Sequence, residues 1–291
     1  TGAFSSIDDV DDADGDMTID FGFVPTTSAD YGDFSKFSVA RSAVLSSLKL
    51  GATADAELIP TANASATGDD ITGSDDEDGV TLPATMIPGN TYSITVNVNN
   101  TTGSVAYLNA WFDWNNNGVL TDVGEQMISN VSIANNTATN QSYNITVPAS
   151  ATIGIVGARF RLTSTSAPGS TGASGNGEVE DYVVNILPTD FGDHIYGSLA
   201  VSSASQAASP DIRIGTNLTD GETTDPSDAN ANKDDITGTN DEDLVMPPFY
   251  PGYSTTLTVP VTVTAGNLSG STARLNVWVD WNGDGVVTGT N

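Results

Sequence analysis

An internal repeat is the feature that most constrains how this 291-residue chain folds. Three blocks recur in the same order at offsets of 160, 165 and 167 positions: 30–33 with 190–193, 69–73 with 234–238, and 108–115 with 275–282. Ordered blocks at nearly constant spacing indicate duplication of a domain, with insertions in loops. The sequence therefore predicts a last strand and linker of a preceding β-domain at 1–25, a first domain at 26–187, and a second domain at 188–291 that ends before its closing strands.

Short stretches of alternating apolar and polar residues predict strands. The apolar positions of these stretches are Tyr92/Ile94/Val96/Val98, Leu108/Ala110/Phe112, Tyr143/Ile145/Val147, Ala158/Phe160/Leu162, Tyr182/Val184/Ile186 and Leu257/Val259/Val261/Val263. Long polar loops separate them. This pattern is typical of an all-β fold, and we expect antiparallel β-sandwiches, jelly-roll or immunoglobulin-like, with long acidic loops. A short helix is compatible with residues 36–50 only.

The charge balance excludes several classes of partner. Eight Lys and Arg residues stand against 37 Asp and Glu, which gives a net charge of −29. Nucleic acids and anionic membrane surfaces both require basic patches, so neither is an expected partner. No apolar run approaches the ~20 residues of a membrane span. Because the chain has no Cys, disulfides and zinc-thiolate sites are excluded, and calcium is the natural cross-link for so many carboxylates.

The loop 113–125 carries the sharpest motif. Oxygen-bearing side chains at alternate positions, followed by Gly118 and a backbone carbonyl, match the first half of a calcium loop. The candidate ligands are Asp113, Asn115, Asn117, the carbonyl of Val119, and Glu125, which lies one place beyond the usual closing position. The second repeat offers Asp280, Asn282, Asp284 and the carbonyl of Val286. An Asn-Gly or Asp-Gly hairpin turn is the alternative interpretation.

Further acidic residues recur at equivalent places in both repeats. Two like charges ~5 Å apart at an effective dielectric constant of ~20 repel by ~3 kcal/mol, so dense acids favour a bound cation unless the loop is solvated. The candidates are Asp70, Asp75, Asp76, Glu77 and Asp78 in the first repeat and Asp235, Asp241, Glu242 and Asp243 in the second. The remaining candidates are Asp30, Asp33, Asp190 and Asp193 in the first repeated block, with Glu178 and Asp181.

Residues 177–182 read Gly-Glu-Val-Glu-Asp-Tyr and lead into a predicted strand. They resemble the signature of the GEVED domain, a module of large secreted bacterial surface proteins. The resemblance extends from about 30 to 186 through the blocks 30–33, 50–57, 75–79, 113–125 and 158–162. In the second copy, 213–217 replaces the start of the block 50–57, which leaves open whether its Asp-Ala-Glu acids have counterparts. Residues 9–25 are similar to the end of B-type domains of serine-aspartate repeat adhesins. The family resemblance implies a cell-surface or matrix context and does not imply a catalytic activity.

Two other pairs of residues bear on the interpretation. Arg159 and Arg161 lie on the outward face of a predicted strand, and we expect them to pair with Glu178, Asp181 or, as the favoured partner, Glu180. Trp111 and Trp278 occupy equivalent positions in the two repeats. Burial is the expected fate of both, and an exposed platform for sugars is the alternative.

These observations predict a non-enzymatic, extracellular module of a bacterial surface adhesin, stalk or filament, with Ca²⁺ stiffening its acidic loops. The expected partners are neighbouring copies or domains of the same surface protein or fibre, with glycans or another cell's surface as further partners. A calcium-dependent carbohydrate-binding module is the alternative. A hydrolase with paired carboxylates is less favoured, because the acids recur in clusters beside calcium-like loops.

Overall fold

In a computed structural model, the structure describes residues 28–68 and 76–194, and beyond them 204–209, 212–214, 217, 219–222, 224–228, 231, 241, 272, 274–278 and 280. These residues contain strands and turns and no helix. The expected strand at 257–263 and the expected terminal strand within 1–25 lie outside the described residues. Among the described residues, no helix is long and apolar enough to cross a membrane.

Most of the strands form two sheets. The large sheet has the order β1 (Asp30–Tyr31), β2 (Ala40–Ala43), β11 (Gly172–Ile186), β10 (Gly154–Thr163), β7 (Ala106–Phe112) and β8 (Gln126–Ile133), with β5 (Thr85–Met86) also paired to β11. In the small sheet, β6 (Thr91–Asn100) pairs with β3 (Leu48–Leu50), β4 (Val80–Thr81) and β9 (Thr137–Thr146). A separate pair joins β12 (Thr189–Phe191) to β13 (Ser205–Ala207).

The main core lies between the two sheets and confirms the all-β sandwich. Ile94, Val96 and Val98 of β6 are fully buried, as the alternating pattern predicts. They belong to one apolar cluster with residues of the large sheet, including Leu108, Ala110, Phe112, Phe160 and Leu162. Within it the rings of Phe112 and Phe160 meet edge to face, with centroids 5.9 Å apart. Each strand therefore places one of its two faces in the core.

The helix considered for residues 36–50 is wrong. This stretch contains β2 and β3 instead. Leu48 and Leu50 are both fully buried on either side of Lys49, which is a period of two and the signature of a strand. The stretch is too short for local propensity to decide its structure, and pairing with β6 and β11 does so.

The outer face of the large sheet carries a second apolar cluster. It consists of Phe34, Phe37, Ala66, Trp111 and Leu120. Trp111 is only 4% exposed, so the expected burial is confirmed for this tryptophan. Phe34 and Phe37, which precede β2, and Ala66, which follows β3, thus cover the outer face of the large sheet. Both faces of the sheet are shielded from water in this region.

Arg159 and Asp181 form a buried ion pair beside this second cluster. Arg159 Nε lies 2.7 Å from Asp181 Oδ1, Nη2 lies 2.7 Å from Oδ2, and both side chains are fully buried. The N–H of Phe34 also donates to Asp181 Oδ2 at 2.9 Å. Arg159 Nη1 donates to the carbonyls of Ser38 and Ser170. The ion pair therefore attaches the segment around Phe34 and Ser38 to the large sheet through hydrogen bonds.

The favoured pairing of the arginines with Glu180 is wrong. Arg159 lies opposite Asp181 in the β10–β11 register, whereas Glu180 lies opposite Phe160. Directly opposed residues of an antiparallel pair share a face, so Glu180 faces the core side and the arginines face the other side. Arg161 donates instead to the carbonyls of Gly169, Arg41 and Gly172 and to Ser174 Oγ.

Removing the arginine of this pair tests its structural weight. Arg159→Met leaves the Asp181 carboxylate buried without its partner, so we expect the free energy of unfolding to fall by about 3–5 kcal/mol. The same replacement at the exposed Arg41 is the control and is expected to cost less than about 1 kcal/mol. Urea denaturation of both variants measures the difference. Equal losses in the two variants would contradict a special role for the pair.

Candidate functional site

Five carboxylates from four separate parts of the first repeat come together at the side of the sandwich. We call this group the acidic cluster: Asp30, Glu57, Asp76, Glu178 and Glu180. Asp30 lies on β1, and Glu178 and Glu180 lie on β11, while Glu57 and Asp76 lie in the connections before β4. Four of the five are almost completely buried, with exposed fractions between 0 and 2%. Glu57 is half-buried.

Each carboxylate accepts a backbone N–H from a different part of the chain. The donor–acceptor pairs are Val179 to Asp30, Leu50 to Glu178, Gly79 to Glu180 at 2.9 Å, Tyr31 to Glu57 at 3.2 Å, and Asp55 to Asp76 at 2.9 Å. Buried backbone N–H groups need acceptors, and these segments have few strand partners to supply them. The acidic cluster therefore ties the long connections to β1 and β11.

Gly79 shows how closely the backbone approaches the cluster. A Cβ atom at this position would lie 2.5 Å from the Cβ of Leu50 and 2.7 Å from Glu180 Oε1. Both distances are shorter than non-bonded contacts permit, so only glycine allows the N–H to reach the carboxylate. Gly79 is thus a packing requirement of the acidic cluster.

Burial and mutual repulsion shift the titration of the cluster. Burial raises the pKa of Asp30 well above its usual value, and the neighbouring Asp76, Glu57 and Glu180 raise it further. Burial, followed by Glu180 and Asp30, raises the pKa of Glu178 to about 12. Burial also raises the pKa of Glu180. Without a cation, burial therefore favours the protonated form of these three carboxyl groups.

The donor set of the cluster suits a hard cation. All its ligand atoms are oxygens, which favour Ca²⁺ or Mg²⁺ over zinc. Glu178 Oε1 is buried and has no hydrogen-bond partner among the described residues. The described residues nevertheless include no group of three His, Cys, Asp or Glu side chains arranged to hold a metal ion. Binding therefore requires side-chain rotation within the cluster.

Three other predicted ligands of this region have different contacts. Asp33 Oδ2 accepts the N–H of Gly68 at 2.6 Å. Asp78 accepts the N–H of Ala52 at 2.9 Å and the hydroxyl of Thr53 at 3.1 Å. Asp181 is taken up by Arg159. Glu77 is half-buried, and Asp190, Asp193, Asp241 and Asp280 are described in the second repeat. The predicted ligands Asp70, Asp75, Asp235, Glu242, Asp243, Asn282, Asp284 and Val286 lie outside the described residues.

The loop 113–125 forms a tight turn organised around Asp113. This fully buried carboxylate accepts the N–H of Asn117 at 2.9 Å and of Gly118 at 2.8 Å. Gly118 has a φ of +81°, which favours glycine. Asn115 and Asn117 donate their side-chain amides to the same oxygen of Asp122, each at 2.8 Å. The predicted alternate oxygens are thus gathered in one small loop.

Glu125 closes this loop from a buried position. It is 2% exposed, and its Oε2 has no hydrogen-bond partner in the part of the chain that the structure describes. Burial raises its pKa to about 7, and Asp113 and Asp122 add to the effect. The two side-chain amides lower the pKa of Asp122. An orphaned buried oxygen at the closing position is what a cation-binding loop requires.

Sequence reasoning missed three residues of these sites. Asp122 stood within the motif, but only the structure shows that both amides reach it. Glu57 lies in the block 50–57, but its contact is with Tyr31, 26 residues earlier in the chain, and the local sequence does not indicate it. Glu180 was assigned to the arginines on the opposite face. Glu180 shares the alternating positions of Tyr182, Val184 and Ile186 on the apolar face of the strand, and this was the available signal for a buried carboxylate.

The described part of the second repeat makes contacts like those of the first. The bridges Ala29–Glu57 and Phe34–Asn63 correspond to Thr189–Glu222 and His194–Asp228, at offsets of 160 and 165. Phe191 N–H donates to Glu222 Oε2 at 3.0 Å, as Tyr31 N–H does to Glu57. Asp220-Gly221-Glu222 is therefore the counterpart of Asp55-Ala56-Glu57. Burial, with Asp220 and Asp190, raises the pKa of Glu222 to about 7.

The family match falls on the strands that carry these sites. Residues 107–185 match the GEVED domain. The matched region runs from β7 through β11 and includes the loop 113–125 and the hexapeptide 177–182. No curated protein matches the chain significantly.

Two solved structures show weak similarity to the chain. The first is the CARDB domain of a protein from Pyrococcus furiosus, solved in complex with di-metal ions; the identity is 14%, the match covers 37% of this chain and 87% of that one, and the TM-score is 0.25. The second is the native conformation of alpha-2-macroglobulin from E. coli, with 16% identity, 38% and 7% coverage, and a TM-score of 0.24. The chain thus spans only a small part of the second protein. At these TM-scores neither similarity bears on function.

The raised pKa values predict an unusual pH dependence for the metal-free protein. Because the pKa of Glu178 is about 12 when folded and 4.5 in the reference state, the folded state binds more protons between these values. The contribution of Glu178 to the free energy of unfolding is then greatest below about pH 4.5 and decreases as the pH rises. With excess chelator, we expect a thermal midpoint several degrees lower at pH 8 than at pH 5. Glu178→Gln should reduce this slope, and a higher midpoint at pH 8 would contradict the burial of protonated acids.

Proposed function

We propose that this chain is a non-enzymatic structural module of an extracellular surface protein, and that Ca²⁺ fixes its acidic loops. The acidic cluster is the observation that carries this proposal. Its carboxylates are buried, come from four parts of the chain, and hold those parts together through backbone N–H groups. A protein whose interior contains such a group must neutralise it with protons or with a cation.

Calcium fits this requirement better than other cations. Ca²⁺ accepts six to eight oxygen ligands in irregular geometry, so it tolerates ligands that come from flexible connections. Extracellular modules bind it with dissociation constants of about 0.1–1 mM. Glu178 Oε1, buried without a hydrogen-bond partner among the described residues, is the first ligand we assign. Asp30, Glu57, Asp76 and Glu180 complete the proposed set.

The loop 113–125 is the second proposed site. Asp113, Asn115, Asn117, the carbonyl of Val119 and Glu125 are its ligands. The side-chain oxygens of Asn115 and Asn117 accept the N–H groups of Asn117 and Val119 within the loop, and each keeps a second lone pair for a cation. The orphaned Oε2 of Glu125 supports this assignment. Asp181 is left out of both sites, because Arg159 occupies its two oxygens.

Two calcium sites of low affinity would still make the module stiffer. At a calcium concentration ten times the dissociation constant, each site adds about 1.4 kcal/mol to the free energy of unfolding. That increment applies to the connections that the cluster fastens, which otherwise depend on few strand contacts. The module would be stiff where calcium is millimolar and looser where it is scarce.

The GEVED match over 107–185 supports a place at the cell surface. The repeated contacts in residues 189–228 support a second domain of the same kind. We propose a tandem array in which neighbouring copies or domains of the same surface protein or fibre are the main partners. The adhesive partner of such an array is a separate question from the role of calcium.

Calcium-dependent unfolding tests the metal proposal. We expect millimolar Ca²⁺ to raise the thermal midpoint of the full chain by about 2–4 °C for each kcal/mol gained, relative to excess chelator. Glu178→Gln and Glu125→Gln should each remove part of this increment, and the double variant should remove nearly all of it. Mg²⁺ serves as the control ion, since it demands stricter geometry.

Asp181→Asn is the matched control variant, because Asp181 is next to Glu180 on β11 but binds Arg159. It should lower the midpoint equally with calcium and with chelator and should keep the full calcium increment. If wild-type protein shows no calcium-specific shift, the metal proposal fails. If Asp181→Asn loses the increment as Glu178→Gln does, the assignment of ligands fails.

Carbohydrate binding remains the second candidate, and one residue favours it. Trp111 is buried and offers no platform, whereas Trp278 is 62% exposed, so the burial expected of both tryptophans is wrong for Trp278. Trp278 lines a cleft of about 780 Å³ together with Phe191, Asp190 and Gln206. An exposed aromatic ring beside polar side chains is suited to a sugar face. Saturable quenching of tryptophan fluorescence by a glycan, lost in Trp278→Ala, would support this function.

A further inference from the structure

Strand β9 is ten residues long and lies at an edge of the small sheet. It pairs with β6 over ten residues, and on its other side no strand lies among the described residues. Asn97 of β6, which faces Asn140, directs its N–H to Gly79 and accepts the N–H of Gly51. Both contacts point away from β9. Because hydrogen-bonded pairs alternate in an antiparallel ladder, the even-numbered residues 138–146 direct their backbone groups outward from the sheet.

This edge lacks the usual protection against pairing. Proteins protect edge strands with charged side chains, prolines or bulges. The sequence of β9 contains no charged residue and no proline. Its register with β6 has no shift, whereas β8, at the edge of the large sheet, has two register shifts against β7. β9 is thus the straighter and more accessible template for another strand.

The edge also lies in a long uncharged part of the sequence. No residue between Glu125 and Arg159 is charged, although the chain carries a net charge of −29. Two copies of so acidic a chain repel each other over most approaches. At β8 and β9 this local repulsion is absent, and Thr, Ser, Asn and Gln side chains are available for hydrogen bonds across a strand pair.

We propose that β9 pairs antiparallel with β9 of a second copy of this chain and joins the two small sheets into one continuous sheet. A strand paired antiparallel with itself is related by a two-fold axis, so the same residues serve both partners and the contact closes on itself. The absence of charge favours a second copy over an acidic or basic partner. This association does not depend on calcium.

Sedimentation equilibrium of the full chain tests the proposal. Over a roughly hundredfold range of protein concentration, we expect a reversible monomer–dimer equilibrium. Added salt should strengthen it, because screening reduces the repulsion between the acidic bodies while the uncharged contact is unaffected. A chain that remains monomeric throughout, at both low and high salt, would overturn the proposal.

Two substitutions at Ser142 test whether the contact between the two copies lies on β9. Ser142→Pro removes an outward N–H and leaves the bonds to β6 intact, so we expect dimerisation to weaken about tenfold or more. Ser142→Thr keeps the N–H and should dimerise like wild type. Circular dichroism checks that both variants fold. If Ser142→Pro dimerises as well as Ser142→Thr, the contact lies elsewhere and the proposal is wrong.

Disulfide trapping decides the matter if the proline variant fails to fold. The chain has no Cys, so a single introduced thiol reports only its own partner. Cysteines placed one at a time at 140, 142 and 144 should give disulfide-linked dimers, most readily at the position nearest the two-fold axis. Ser166→Cys, on the exposed connection between β10 and β11, is the control. Equal cross-linking at 166 and on β9 would overturn the proposal.

Discussion

The antiparallel pairing of β10 with β11 is the interaction on which the other features of the first repeat depend. Its ten-residue register places Asp181 opposite Arg159 on one face and Glu180 opposite Phe160 on the other. On the outer face, β11 therefore supplies Asp181, whose ion pair with Arg159 holds the segment around Phe34 and Ser38. On the core face it supplies Glu178 and Glu180, which accept the N–H groups of Leu50 and Gly79. A shift of one residue would exchange these faces and bury the wrong set.

This register explains the hexapeptide 177–182 residue by residue. Gly177 has a φ of +145°, and a Cβ there would lie 1.9 Å from the carbonyl oxygen of Leu162. Glu178 and Glu180 accept backbone N–H groups from Leu50 and Gly79. The remaining three residues are a buried valine, the partner of Arg159, and Tyr182, whose hydroxyl donates to Glu180 Oε2 and accepts the N–H of Val80. The motif is thus a structural device, and its acids are needed as acceptors even before any cation is considered.

The buried faces of the strands could be predicted, because they depend only on the alternation of apolar and polar residues along each strand. The alternating apolar residues of β6, β7, β10 and β11 lie in the core as predicted, because alternate side chains of a strand share one face. Pairing across strands was not predictable in the same way. The choice between Glu180 and Asp181 for Arg159 depends on register, which alternation along one strand does not reveal. The contact of Glu57 with Tyr31 joins residues 26 positions apart, and no periodicity marks it.

The second repeat shows which of these contacts resists sequence change. Between Asp193 and Asp220 its sequence differs from the first repeat and is five residues longer. Nevertheless Glu222 accepts the N–H of Phe191 as Glu57 accepts that of Tyr31. Loop length changes at little cost in closure entropy, whereas a buried N–H without an acceptor costs about 1–3 kcal/mol. The intervening loop can therefore differ in sequence and length, provided that it still places a carboxylate where it accepts this backbone N–H.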